Sequence, residues 1–458
     1  MKKIKSILLT IMAFSVLFGT GCSKKEKATN DGKTHITMWT AITESTPESE
    51  VKLQEMLKER LAEKFPEIEV EFINRLAGKD YREEYDKAMM AKEEPTIYHM
   101  FSYTDIPTRI EKGTIADITK LVNEWQLKKE DKVITTFDSV INKDNKWYAI
   151  PRSAYTKGLL VSKKALENSG LDSTADPRTW EEFTRICSQA TNREDAKIGY
   201  ALFGNDASVW SFIPWVWSAG GDFVEENDGK YNLLVDSDPV VDAAYYMNRL
   251  IWEHKATQTN IIAERNELYK LLYSGSAAYA FGDLYPIKDT TLSQYGLTPE
   301  DFDFTTYPTK DESIEEVSFA GGEVITFSPR ATDEELEAAF KVAEYIYYDE
   351  EWLAEKWAFE NANSIREFSV PARSDLYEAK LNSYDSISDG FKTALVAVEK
   401  ASIPEPACPY WTEFKTKFEI PLQKVYADED ITRDEVKKIF EDFKKEFVKS
   451  HSDAYITE

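Results

Sequence analysis

Trp210, Phe212, Trp215 and Trp217 fall within eight residues of this chain, directly before Ala219-Gly220-Gly221-Asp222. The glycines argue against a long helix here and let backbone come close to a bound molecule. Trp39, Tyr98, Tyr103, Tyr155, Tyr285 and Trp411 add aromatic rings at strand ends or beside Pro and Gly. A sugar ring has an apolar C–H face and a rim of hydroxyls. Aromatic platforms hold the face, and carboxylate, amide or guanidinium groups hold the rim. A single tryptophan is more often plain core than platform; the crowding is what points to a ligand.

Signatures of catalysis and of metal binding are absent. Gly32-Lys33-Thr34 imitates the end of a phosphate-binding loop, but Lys27 stands where that loop needs glycine and no strand precedes it. There is no G-x-S-x-G, H-E-x-x-H or C-x-x-C. Asp236 and Asp238 are spaced like calcium ligands, yet Pro239 follows and the glycine of a calcium loop is missing. Four scattered histidines (His35, His99, His254, His451) make no metal cluster. With 82 Asp and Glu residues, acidic pairs arise by chance, and most are solvated helix faces. No catalytic residue, metal or cofactor is expected.

The elements that must position these residues alternate. His35–Thr40 reads as a strand, and a helix of about 18 residues follows from Thr46-Pro47, with Leu53, Leu57, Leu61 and Phe65 on its inward face. Strands are expected at 69–73 and 96–101, and helices at 81–91 and 106–112. This is the pattern of an α/β domain with a largely parallel sheet. Further on, 146–151, 158–162, 277–281 and 323–327 read as strands. Helices are expected at 240–252 and 261–273. Thr179 with Glu182, Thr332 with Glu335 and Thr432 with Glu435 are capping boxes that open three more.

The amino terminus carries its own instruction. Lys2, Lys3 and Lys5 precede the predominantly apolar Ile7–Phe18; small residues Gly19, Thr20 and Gly21 then lead into Cys22. That order is an export signal, too short to span a bilayer as a stable helix. It resembles the lipobox of bacterial lipoproteins, although Gly19 stands where lipoboxes usually carry Leu. On this reading residues 1–21 are the signal peptide and Cys22 becomes the lipid-bearing first residue. Residues 22–33 are then a solvated leash.

About 425 residues remain, enough for a large bilobal body. The formal charge of −26 becomes −29 once a leader with three lysines is removed. Such a body does not bind nucleic acid or anionic lipid through its surface. Cys187 and Cys408, the cysteines besides Cys22, could pair, but two residues make no disulfide framework.

Read in order, the segments resemble the extracellular solute-binding proteins of bacterial carbohydrate ABC transporters, the family that includes the maltose-binding protein. HITMWT, FPEIEVEFI and AMMAKEEPTIYHM open the likeness, with Thr96 replacing a common Asp. NKWYAIPRSAYTKGLLVSKKALENSGLD followed by PRTWEEF is the most specific block. WSAGGDF, LYSGSAAYAFGDLYP, FAGGEVITFSPRATDEELEAAFKVAEYI and SIREFSVPARSDL complete a series from about residue 35 to 375. The resemblance implies a type II periplasmic-binding-protein-like fold: two α/β lobes joined by a hinge, with the ligand between them. Lobe one would be 34–155 plus 323–370, and lobe two 157–321 plus 371–458, with crossings near Tyr155–Leu159, Phe319–Glu323 and Val370–Ala372.

The expectation is therefore a monomeric, lipid-anchored binding protein that delivers a sugar or oligosaccharide to an ABC permease. It would sit on the outer face of a cytoplasmic membrane, and the lipid suggests a Gram-positive host. Trp39, Tyr155, Trp215, Trp217, Asp283 and Glu323 are expected to line one cleft. Glu44, Tyr103, Asp105, Tyr285, Gly322 and Trp411 are further ligand-binding positions. Trp39 and Glu44 follow the first strand, where open α/β sheets place ligand loops. A binding protein for a polyamine, metal chelate or peptide would need a fixed charge in the cleft. A surface glycoside hydrolase would need two facing carboxylates about 5–10 Å apart.

Overall fold

The alternation at the start of the body folds as strand β1 (Thr34–Thr40), with Ile36 and Met38 buried. Helix α1 (Glu48–Lys64) leads back to β2 (Ile68–Asn74), which pairs parallel with β1. Helix α2 (Tyr81–Ala91) precedes β3 (Ile97–Ser102), parallel to β1 on its other side. The computed structural model describes residues 32–42, 46–75, 81–205, 207–283, 295–363, 369–383 and 389–457. Contacts divide the chain after Lys33, leaving Thr34–Glu458 as one unit. Cys22 lies outside the described residues, and none of the described helices is long and apolar enough to cross a membrane.

Two long strands carry the chain through the middle of the sheet. β4 spans Ile150–Ser162 without a break, where two separate strands are expected from sequence. Lys146 and Trp147 instead pair with Asn142 and Lys143 in a small hairpin. Gly158 does not interrupt β4; it lets a neighbour approach, because a Cβ there would sit 2.5 Å from the Thr305 carbonyl oxygen. The remaining strands of the main sheet are β5 (Ile198–Ala201), β6 (Ala277–Asp283), β7 (Phe302–Thr305), β8 (Ser318–Phe327), β9 (Val370–Pro371) and β10 (Ser402–Pro404). The sheet path is β2-β1-β3-β8-β4-β6-β5, with β7 and β9 joined to β4 and β10 to β8. Its ends are parallel, but the central β3–β8, β8–β4 and β4–β6 pairings are antiparallel. β8 also begins earlier than its apolar run predicts and continues through Gly321 and Gly322.

Helix caps follow the sequence closely. Thr332–Glu335 and Thr432–Glu435 close complete boxes on α7 (Asp333–Tyr348) and α10 (Arg433–Ser450). On α3 (Trp180–Ala190) half of the box forms: the Thr179 hydroxyl accepts from Glu182 N–H, but the Glu182 carboxylate accepts from Arg178 N–H instead. The larger departure is α4 (Ser208–Trp217), a helix through the aromatic cluster that sequence reading places in a loop. Gly220, at φ +81°, ends this helix rather than preventing it. Nine of its ten residues are buried, so it is a core helix apolar on all sides. Further long helices of the body include α5 (Asp238–Trp252), α6 (Arg265–Tyr273), α8 (Glu350–Ala362) and α9 (Trp411–Ala427).

Buried side chains gather at the two ends of the sheet. One body of core takes in Leu159, Trp215, Phe281 and Phe319, with Phe414 and Phe440 from the carboxy-terminal helices. The other end holds Ile36, Ile97, Ile325 and Val342, beside a patch around Tyr85, Phe101 and Val324. β4 passes from one end to the other between Ala154 and Tyr155, and β8 between Phe319 and Val324. Cys187 and Cys408 are buried, free thiols.

Candidate ligand-binding cleft

A cleft of about 400 Å³ lies where β4 and β8 pass between the two cores. Its floor is Tyr155, Gly322 and Glu323. Tyr81 and Arg82, at the start of α2, and Met100 and Ser102, at the end of β3, form one wall. Ser208 and Trp210 in the first turn of α4, and Arg265 at the start of α6, form the facing wall. Glu405, Thr412 and Lys415 close the third side. Four helices thus begin at the cleft, and helix amino termini carry unsatisfied N–H groups and positive dipole ends. Such ends suit hydroxyl and carbonyl oxygens.

The rings and charges are held from behind. The Lys157 Nζ lies 4.0 Å from the centroid of Trp210 and 5.0 Å from that of Tyr155. Trp210 also meets Phe281 and Phe319 edge-on, at 5.1 and 5.9 Å. Asp105 accepts from Arg82 Nε at 2.6 Å, from Ser102 N–H at 3.1 Å and from the Thr412 hydroxyl at 3.3 Å. Glu405 pairs with Lys415 and accepts from Trp411 Nε1 at 2.8 Å. Arg152 pairs with Glu323 at 2.8 Å. Burial, with the charges of Glu405 and Glu323 adding to it, pushes the Tyr155 phenol well above its ordinary range, so it stays an O–H donor. Burial does the same for Tyr81. Arg82, Arg152 and Lys415 each meet a carboxylate, so the cleft offers many hydrogen-bonding groups but no large excess of one charge.

Of the residues expected to bind ligand, Tyr155, Gly322 and Glu323 line the cleft. Asp105 and Trp411 sit behind it, fixing Arg82 and Glu405. Tyr103 is also behind the wall: it stacks on Phe137 at 4.3 Å and donates to the Glu405 carbonyl at 2.6 Å. Trp39 is enclosed by Tyr85 and Tyr98, with the Arg75 guanidinium over its ring. Trp215 and Trp217 face the core, which corrects their expected place. Trp215 is 1% exposed and donates to the Tyr200 hydroxyl at 3.0 Å. Trp217 stacks on Phe319 and donates to Asp222 at 3.2 Å. The reason is helical: α4 turns the later rings inward and leaves Trp210, in its first turn, at the cleft. Glu44, Tyr285 and the side chain of Asp283 lie outside the described residues.

Sequence reading missed Tyr81, Arg82, Arg265, Glu405 and Lys415 as lining residues. Only Trp210 carried a signal, as the first tryptophan of the cluster. Isolated charged residues at helix starts look like ordinary solvated positions until the helices converge.

Known structures share this architecture. An ABC transporter solute-binding protein from Thermotoga lettingae, bound with alpha-D-tagatose, superposes with a TM-score of 0.72 at 17% identity, covering 91% of this chain and 100% of its own. An ABC substrate-binding protein from Listeria monocytogenes in complex with cycloalternan gives 0.72 at 16%, covering 91% and 99%. Maltose-bound MalE3 of T. maritima gives 0.69 at 20%, covering 90% and 100%. The family profile described as bacterial extracellular solute-binding protein matches residues 44–351, two thirds of the sequence. The chain is a member of the bacterial extracellular solute-binding proteins.

Proposed function

We propose that this protein captures a sugar or oligosaccharide in the cleft and presents it to an ABC import permease, without making or breaking a bond in it. The observation that carries this reading is the cleft's composition: the rings of Tyr81, Tyr155 and Trp210 among internally paired charges. Rings suit the apolar face of a sugar, and paired charges orient hydroxyls without demanding a charged ligand. Tagatose, cycloalternan and maltose in the structural relatives support the same class.

The lobes of this reading meet at the crossings of β4 and β8, and the two separate cores support that division. Ala372 packs with one core, Leu376 packs with Leu353 and Trp357, and Tyr377 touches both ends. We therefore place the third crossing at Tyr377, slightly past the expected return. A ligand held by both lobes favours their closed arrangement, which is the signal for a permease. A lipid-bearing Cys22 and the leash to Lys33 would keep this monomer near that permease, on the extracellular face of the cytoplasmic membrane of a Gram-positive cell.

A thermal-shift screen against mono- and oligosaccharides tests the reading. A ligand at a hundred times its dissociation constant adds about 2.7 kcal/mol of stability. No shift with any sugar, and a shift with a polyamine or peptide, would replace the sugar assignment. Release of a cleaved product on incubation with oligosaccharides would replace the binding role with hydrolysis.

A further inference from the structure

We propose that the ligand's sugar occupies the cleft while an aryl group attached to it fills a second chamber in the first lobe, so that the preferred ligand class is aryl glycosides. The inference rests on the sugar reading above and extends it. The chamber, of about 720 Å³, is larger than the cleft and falls in the range of small-molecule sites. The two spaces adjoin: Tyr81, Met100 and Glu323 line both.

Its walls differ in character from those of the cleft. Leu53 and Leu57 of α1, Phe72 of β2, and Trp352, Leu353 and Trp357 of α8 present a mostly apolar lining. α1 carries an apolar stripe that sequence predicts to be core, yet Leu61 is its only buried residue. Leu53 and Leu57 are half-buried: they pack against the core under the sheet and also line the chamber. Leu353 and Trp357 likewise cluster with Leu376, apart from the main core. An apolar stripe that also borders a space gives up, on that side, contacts that interiors normally make. An apolar ligand restores them.

Two polar atoms indicate more than hydrocarbon. Trp352 and Glu360 line the chamber, and Trp352 Nε1 and Glu360 Oε2 are buried without a hydrogen-bond partner. Glu360 uses only Oε1, toward Lys356 at 2.9 Å. Native structures rarely leave such groups unsatisfied. Hydroxyls on an aromatic ring accept from one and donate to the other while the ring fills the apolar volume.

The test uses the full-length protein and a matched series: the methyl, phenyl and 2-naphthyl glycosides of the sugar that stabilises it most, with free 2-naphthol as a sugar-free probe. Calorimetric titration should show the 2-naphthyl glycoside binding at least tenfold tighter than the methyl glycoside. Leu53→Trp, which fills the chamber, should abolish that gain and leave the methyl glycoside within twofold. Should Leu53→Trp not fold, Leu57→Trp one turn on makes the same change. Methyl and naphthyl glycosides binding alike would overturn the chamber and leave the sugar reading intact. A gain that survives both variants would place the aryl group elsewhere, which also overturns it. Binding of 2-naphthol with no binding of any glycoside would sink the sugar reading and joint occupancy together.

Discussion

Trp210→Ala and Trp215→Ala should separate ligand platform from core, although the two residues sit five positions apart on one helix. Trp215 is 1% exposed, has Phe183 and Tyr307 at 5.2 and 5.1 Å, and donates to Tyr200. Truncating it opens a large cavity and strips the Tyr200 hydroxyl of its donor. That should cost about 3–5 kcal/mol, a large share of the 5–15 kcal/mol that holds a domain together. Trp210 is half-buried, with one side on Lys157 and Phe281 and the other at the cleft. Its loss should weaken sugar binding by about 1.5–3 kcal/mol, the worth of burying one large side chain. This is roughly ten- to a hundredfold in affinity. Urea unfolding without ligand measures the first effect, and calorimetric titration of the best sugar from the screen measures the second. If Trp210→Ala binds within twofold of the parent, while Trp215→Ala melts normally and loses the sugar, the placement of the two rings is wrong.

Further outcomes follow from particular residues. His99 is half-buried, donates from Nε2 to the Trp39 carbonyl and contacts the Tyr347 hydroxyl; desolvation, with the Arg152 charge, lowers its pKa to about 3. Unfolded histidine protonates near 6.5, so between those values the unfolded state binds the extra proton and stability falls on acidification, by up to about 1.4 kcal/mol per pH unit. His99→Gln should flatten that decline in pH-dependent urea melts; an unchanged slope would show that His99 does not cause it. Burial, then the Arg265 charge, holds the Lys157 amine well below its usual range, whereas the unfolded lysine keeps its proton to about 10.4. Stability should therefore rise as pH is raised toward 10, and Lys157→Met should remove that rise; an equal rise in both proteins would refute it. At Gly322 an added methyl meets the buried Phe137 ring and, at 2.5 Å, the Ser153 carbonyl, so Gly322→Ala should lose about 1–3 kcal/mol of stability. At Gly321 it meets the Tyr155 ring, so Gly321→Ala should show mainly in sugar affinity; the reverse assignment of the two phenotypes would count against the floor described here. Cys22→Ala should leave the protein unprocessed or released from cells, and a variant still membrane-bound at the parent's mass would refute lipidation.

Local chemistry made the scaffold readable. The alternation in β1, the Thr332 and Thr432 caps and the apolar face of α3 each depend on neighbours within a turn or a strand, and each stands in the structure. What depended on distant partners was harder to see. The stretch that folds as β4 reads as two strands, 146–151 and 158–162, and the closeness of Thr305 to Gly158 and the rings over Lys157 explain why one strand runs through. The aromatic cluster suffered the same way. Glycines downstream suggested a loop, but the burial available between two layers of core favours a helix apolar on every side. Arg82 and Asp105 are 23 residues apart, Glu405 and Lys415 ten, and nothing in either segment announces a shared cleft.

The arrangement has a consequence for how binding would be felt. Tyr155, Gly322 and Glu323 are floor residues of the cleft and also the point where β4 and β8 pass between the cores. They are paired across the two strands, Gly321 with Tyr155, Gly322 with Ala154 and Glu323 with Ser153. On the proposed reading the hinge and the binding floor are the same residues, which need no intermediate chain of contacts to communicate. Thr412 to Asp105 and Tyr103 to the Glu405 carbonyl add two hydrogen bonds between the carboxy-terminal segment and the end of β3. On the proposed reading, a sugar touching Arg82, Trp210 and Tyr155 contacts both lobes and their junction at once. Its differential affinity for the closed form is then set where the lobes pivot, and only that difference can shift the equilibrium.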